Sequence, residues 1–562
     1  MRVHGLRIWT KASLAVAIAA LIVLCSLRGA AQGGPPEVVL LNGKIFTGDA
    51  ARPYVQALAI RGDRITATGD TVTIRALAGP ATKQIDLGGR TVIPGIDDAH
   101  NHIGLNPPGL VYLHFDTADP SWAELKAAIA AAAAKSPRGT WIDADIGPAV
   151  FHDTSVDRAA LDRIASDHAV MLTTLTGHAA ILNSTALEKA GIREDVKDPV
   201  GGRYERDSKG RLTGVLREYA VLNLGRKLGE TPSDAESERQ LREFFAQAVR
   251  YGITTTQDMS DEIEPGRAVK LFEATPTPIR IRIMVMPGTT PAGRDTREGV
   301  GLPRHPSALV TIDGTKWLLD GAPVEHTFTP RETPSLPAGE KPDYGVRNLP
   351  LTFSEKDMEA MLRESLANHS PLIVHVAGYL SAAGMLDALE ATGGATVWAG
   401  RRVRFEHGDG LFPDLVPRVK ELGVIVVQNP THFDPSLLAG PGAPPFQKAQ
   451  PLRSLLAAGI PLALGSDGPM NPYLNIMLAC TDPGNPPEAI TREQAVIAYT
   501  RTSAYAEFAE KEKGTLEPGK LADLAVLSQD IFTVPAPDLP KTESVLTLVG
   551  GKTVYDAHIL GN

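Results

Sequence analysis

The chain has 562 residues, 43% of them hydrophobic and 22% charged, with a formal net charge of −9. This suits a soluble globular protein with room for one large domain and an accessory one, or for two or three ordinary domains. With no long basic run beyond the N-terminus, nucleic acid is an unsuitable partner, because phosphate binding needs a basic surface.

Arg2, Arg7 and Lys11 give a positive start, residues 12–27 are mostly apolar, and Gly29, Ala30 and Ala31 follow. Residues 1–31 read as a secretory signal peptide, which makes the mature protein periplasmic or secreted. The alternative is an uncleaved N-terminal membrane anchor. Cys25 follows Val-Leu, which is not the small-residue context of a lipoprotein site. Cys25 and Cys480 are the only cysteines. Loss of the leader leaves one, so an intrachain disulfide and a thiolate cluster are excluded, and any metal must be held by His, Asp, Glu or Lys.

Glu37-Val-Val-Leu-Leu-Asn-Gly-Lys-Ile-Phe46 reads as two strands around an Asn42-Gly43 hairpin turn. Segments 57–60, 64–67 and 83–87 continue the strand-and-turn pattern. At the far end, segments 522–527 and 544–555 are strands with a Gly550-Gly551 turn. The two β-rich ends, 36–91 and 513–562, are expected to pair into one small β-sandwich domain around a middle domain, 92–512.

The middle domain begins with Thr91-Val-Ile-Pro-Gly-Ile-Asp-Asp-Ala-His-Asn-His102. On a strand, positions i and i+2 share a face, so His100 and His102 aim two imidazoles at one point, as a divalent metal requires. Taken alone, the pair also fits two hydrogen-bonded histidines at a strand end. Residues 122–135 form an alanine-rich helix pattern, and Val170-Met-Leu-Thr-Thr-Leu175 a strand. Residues 201–214 read as a polar β-ribbon within an insertion of about 180–235. Residues 236–251 are an amphipathic helix ended by Gly252. Strands follow at 253–257, 279–285 and around Lys316. A helix at 355–368 precedes the strand carrying His375. Further strands end at His407 and at 424–428, segment 439–447 reads as a Pro/Gly loop, and the last strand leads into Gly465-Ser-Asp-Gly468. Repeated βα units over this length fit a parallel sheet closed as a TIM (β/α)8 barrel, an α/β architecture with its chemistry at the strand ends.

Singly, His375, His407, Lys316 and Asp467 have structural explanations: a bonded histidine, a snorkelling lysine, a turn aspartate. Their order behind His100 and His102 resembles the amidohydrolase superfamily, and more closely its amidohydrolase family 3 (YtcJ-like) branch. The likeness runs from about residue 38 to the C-terminus. It is carried also by Thr176-Gly-His-Ala-Ala-Ile-Leu-Asn-Ser184, Gly214-Val-Leu-Arg-Glu218, Tyr251-Gly-Ile-Thr-Thr255, Arg404-Phe-Glu-His407, Leu464-Gly-Ser-Asp-Gly-Pro469 and the tail Lys513-Gly-Thr-Leu-Glu-Pro-Gly-Lys-Leu-Ala-Asp-Leu-Ala-Val-Leu527.

The resemblance implies an amidohydrolase acting on a non-peptide carbon–nitrogen bond: a linear amide, an N-acyl or N-formyl amine, or a cyclic amide. It implies His100, His102 and Asp467 on one divalent metal, His375 and His407 on a second, and a carboxylated Lys316 bridging them. Asp467 would serve as general base and then acid. His nitrogens with carboxylate-type oxygens favour zinc over magnesium. His178 and Tyr379 are candidate substrate contacts. The family often has an acid where Tyr379 stands, which bears on substrate preference. Trp317 reads as barrel packing, and Glu406 as pointing outward with a supporting role. His326 and His432 are near the mouth by pattern but are not counted in the site. The expected partner is a small amide-type molecule, with membrane contact only through an uncleaved leader and a homo-oligomer left open. Competing readings are a deaminase or esterase-like hydrolase, against which Lys316 argues, and a non-catalytic binding protein on the same barrel.

Overall fold

The computed structural model describes residues 34–294, 298–322, 325, 353–433 and 450–560. The leader with Cys25, His326 and the loop 439–447 lie outside the described residues.

Eight strands form one parallel sheet in chain order: β1 (Ile96–Asn101), β2 (Ile253–Ser260), β3 (Arg280–Val285), β4 (Val310–Leu318), β5 (Leu372–Val376), β6 (Arg404–His407), β7 (Ile425–Gln428) and β8 (Leu462–Leu464). β1, β2 and β5 to β8 are buried along their whole length, as parallel strands covered by helices are. The sheet curls until its edges meet. Just past β8, the Ser466 amide donates to Asp98 Oδ1 (2.7 Å) and the Asp467 amide donates to the His100 carbonyl (2.9 Å). Gly465 permits this approach, because a Cβ there would stand 2.5 Å from the His100 nitrogen. The expected barrel is therefore present, nearly closed at this seam.

Covering helices start and stop where the sequence signals them. The helix expected at 236–251 is Asp234–Arg250, with Ser233 accepting from the Glu236 amide at its N-terminus and Gly252, at φ +75°, beyond its end. The helix expected at 355–368 is Glu355–Asn368, opened by a Ser354–Asp357 capping box.

Both chain ends do enter one sheet. Strands Leu524–Leu527, Ser544–Val549 and Lys552–Asp556 line up with Thr91–Pro94, Lys44–Phe46 and Tyr54–Val55. A four-stranded sheet (Arg64–Gly69, Ala57–Arg61, Val38–Leu41, Lys83–Asp86) faces it across a core of Leu40, Leu58, Ile60, Val92, Leu524 and Leu546. The Asn42-Gly43 hairpin is corrected here. Val38–Leu41 and Lys44–Phe46 do not pair; they lie in different sheets. Asn42, at φ +57°, turns the chain from one sheet into the other, a bend with the same left-handed requirement as a hairpin turn.

Between β1 and β2 the chain builds a separate six-stranded sheet, in the order Gly202–Arg206, Leu212–Glu218, Ala179–Leu182, Ala169–Thr174, Trp141–Ile146, Val111–Leu113. The expected ribbon is its outer hairpin. The sheet reaches further toward the N-terminus than the expected insertion. It also claims the 170–175 strand, which pairs parallel with Trp141–Ile146 and antiparallel with Ala179–Leu182 and is no part of the barrel. A helix, α1 (Tyr219–Gly229), returns the chain toward the barrel.

Candidate metal centre

The C-terminal ends of the barrel strands converge on a few ångströms of space. His100 is the fifth residue of β1 and His102 follows the strand, their rings 5.4 Å apart. Asp467, just past β8, places Oδ1 3.5 Å from His100 Nε2 and 3.3 Å from His102 Nε2. These three could hold one ion. The other oxygen of Asp467 faces a second group. His407 Nδ1, at the end of β6, is 3.9 Å away, and His432 Nε2, in the Pro430–Phe433 turn after β7, is 2.9 Å away. Lys316, on β4, is buried with Nζ 3.5 Å from His100 Nε2. The His375 ring, on β5, lies 4.3 Å from that of His407, with Nε2 3.4 Å from the Gly321 carbonyl oxygen. All six expected metal-site residues thus come together. His432, not counted from the sequence, joins them, and its position after a barrel strand is the signal that could have found it.

Backbone strain aims two of these groups. His407 and Asp467 adopt φ of +67° and +55°, a region that non-glycine residues rarely occupy. The turn at His407 also corrects the reading of Glu406. Simple alternation would send Glu406 outward when His407 faces in. Instead Arg404 and Glu406 point into the barrel, where Glu406 is fully buried, and the left-handed residue swings His407 over the mouth.

Carboxylates fix the histidine rings. His100 Nδ1 donates to Glu406 Oε2 at 2.6 Å, and His102 Nδ1 donates to Asp261 Oδ1 at 2.8 Å, so that each Nε2 faces the mouth. Asp261 follows the end of β2 and was not singled out in the sequence. Glu406 is in turn held by Arg404, whose Nε donates to Oε1 at 2.9 Å.

The charges follow from burial and neighbours. Burial and then Lys316 push the His100 imidazole down to about 4. Burial works against a charged His102, yet Asp261 and Asp467 hold it well above its ordinary value. Burial alone would raise Asp467, but His100, His102, His432 and His407 keep it well below the carboxylate range. Burial is likewise overcome at His432, which Asp409 and Asp467 raise to about 10. Burial brings the Lys316 ammonium down to about 8. A mouth where protons and cations compete for the same nitrogens suits a metal site. So does the donor set, and so does His407 Nδ1, which is buried without a hydrogen-bond partner among the described residues.

A cavity of about 300 Å³ opens from this cluster toward the inserted sheet and α1. His178 lines it; Nδ1 donates to Glu218 Oε2 at 2.6 Å, and its ring lies 4.7 Å from that of His375. Tyr379, the other candidate substrate contact, lies apart from the described lining of this cavity. It starts the helix Tyr379–Ala391, and its hydroxyl donates to Asp414 Oδ2 at 2.7 Å. Trp317 packs edge-on against Phe353, as barrel packing requires.

A model described as "Amidohydrolase family" matches residues 83–555. The chain is similar to the protein LONG AFTER FAR-RED 3 of Arabidopsis thaliana, 28% identical over 92% of this chain and 91% of that protein. It is also similar to the N-substituted formamide deformylase of Arthrobacter pascens, 26% identical over 92% of this chain and 98% of that one. Among solved structures, an uncharacterized metal-dependent hydrolase from Pyrococcus horikoshii OT3 superposes with a TM-score of 0.64 at 20% identity, covering 89% of this chain and 99% of its own.

Proposed function

We propose that this chain, which belongs to the amidohydrolase family and is a metal-dependent hydrolase of that superfamily, cleaves a carbon–nitrogen bond other than a peptide bond. The substrate classes are N-formyl or N-acyl amines, other linear amides and cyclic amides. The observation that carries the reading is one carboxylate, Asp467, shared between two histidine groups with the buried amine of Lys316 beside them.

His100, His102 and Asp467 would hold one ion. His407 and His375, with His432 beside them, would hold the second. When bound, two divalent ions, zinc by the donor chemistry, polarise a scissile carbonyl and acidify water. Lys316 fits the bridging role because burial leaves part of its amine uncharged near neutral pH. A neutral amine can add to carbon dioxide with loss of one proton to solvent, and the resulting carbamate would offer two oxygens that share one negative charge. Asp467 stays ionised at neutral pH, so it can take a proton from the attacking water and return it to the leaving nitrogen. His432 steadies that carboxylate from 2.9 Å. His178, which lines the cavity and donates to Glu218, would contact the substrate there. The formamide deformylase of Arthrobacter pascens supports the carbon–nitrogen reading through its name. We extend the proposal to an exported enzyme, on the leader-like residues 1–31.

Amine release from a panel of N-formyl amines, N-acyl amines and cyclic amides tests this, using metal-loaded wild type and Asp467→Asn. Turnover of at least one class is expected, with kcat reduced roughly 10²–10⁴-fold in the variant. Release from none of them, or an Asn variant as fast as wild type, would overturn it.

A further inference from the structure

We propose that the lobe of the cavity between α1 and the inserted sheet takes an apolar arm of the amide substrate, and that Gly225 keeps that lobe open. The inference rests on the hydrolase reading above and narrows its substrate class.

The lobe is continuous with the cluster of His100, Lys316, His407 and Asp467, since one cavity is lined by both. Its walls are Leu105, Trp141, Met171, Leu224, Leu228 and Met286, contributed by the barrel mouth, the inserted sheet and α1. Such walls favour a group that loses apolar surface to them. Beyond Asp467, three carboxyls also reach the cavity, each with a hydrogen-bond donor at the wall. Asp143 Oδ1 accepts from Thr173 Oγ1 at 3.1 Å, Glu262 accepts from the Leu105 amide, and Asp261 accepts from His102.

Gly225 gives the sharper observation. It sits inside α1, where glycine is disfavoured against alanine, and it lines the cavity. Nothing in the packing requires it: a Cβ there would meet only Glu262 Cγ, at an ordinary 3.7 Å. Four residues on, Gly229 is different, since its Cβ would lie 2.3 Å from the Glu262 carbonyl oxygen. The missing side chain at 225 thus does not serve helix packing. What it leaves is room beside the site.

The test compares two small amides, N-methylformamide and acetamide, with two that carry an aryl arm on either side, N-(2-phenylethyl)formamide and 3-phenylpropanamide. The enzymes are metal-loaded wild type, Gly225→Ala and Gly225→Leu, and both substitutions favour the helix. Calorimetric binding of the same amides in an Asp467→Asn background gives a readout that needs no turnover. For at least one aryl amide, kcat/KM should fall about tenfold or more in Gly225→Leu and by an intermediate factor in Gly225→Ala. The small amides should stay within about twofold, and binding should weaken in parallel. Uniform losses across the four amides, or none, would overturn the lobe assignment while hydrolysis stands. Binding that weakens on filling without any wild-type turnover would sink the hydrolysis reading and keep the lobe. Neither binding nor turnover would overturn both.

Discussion

Asp467 is the residue on which the two histidine groups depend, because each of its oxygens faces a different pair of imidazoles. Near it lies another buried carboxyl, Asp258. Asp258, at 2% exposure, is held up at about 7, chiefly by burial, with the Ile103 amide opposing and Asp261 adding to the rise. An unfolded aspartate titrates near 3.9. Between about pH 4 and 7 the native state therefore binds the extra proton, so stability is lost as pH rises through that window. Asp258→Asn keeps an oxygen for the Ile103 amide and removes this dependence. The thermal midpoint of the variant, relative to wild type, should be several degrees more favourable at pH 8 than at pH 5. An equal difference at both pH values would show that Asp258 does not carry the proton.

At the scale of elements, the centre exists because eight strand ends are brought to one mouth, and the seam between β1 and β8 sets its register. Gly465→Ala forces a Cβ against the His100 backbone and should separate His100 from Asp467. We expect bound metal and activity to fall together while far-UV circular dichroism stays native; full metal content would contradict the role given to the seam. Much of this was legible in the sequence. Period-two spacing displays His100 and His102, and the apolar runs ending in His375, His407 and Asp467 mark strand ends. What was hidden depends on bends and partners that sequence spacing does not encode. His407 breaks alternation with a left-handed turn, which conceals the contact of Glu406 with His100. His432 stands four residues past β7 in a proline turn, so its place after a barrel strand brings it near the mouth, but no strand alternation shows its contact with Asp467. Asn42-Gly43 signals a left-handed bend equally for a hairpin and for a change of sheet. An apolar run such as 170–175 does not say which sheet it joins.

The whole molecule is held in register by the segment that leaves the barrel for the terminal strands. Lys513 is buried there, donating to Asp97 Oδ2 at 2.9 Å and to Thr255 Oγ1 at 2.6 Å, and paired with Glu507. It ties that segment to β1 and β2, beneath the histidine pair. Lys513→Met would leave Asp97 and Glu507 buried without their cation, a loss of about 3–5 kcal/mol. Thermal unfolding should show a clearly lowered midpoint, and an unchanged midpoint would mean that the pair does not clamp the two parts. Charge, strain and closure bring two histidine groups around the shared carboxylate of Asp467, with Lys316 beside them, and we propose that this mouth holds two ions. Metal analysis of the purified, reconstituted protein tests it most directly. Wild type should carry about two divalent ions per chain, with marked loss of both in Lys316→Ala and in Asp467→Ala. A wild type that retains no metal, or variants that retain both ions, would contradict it.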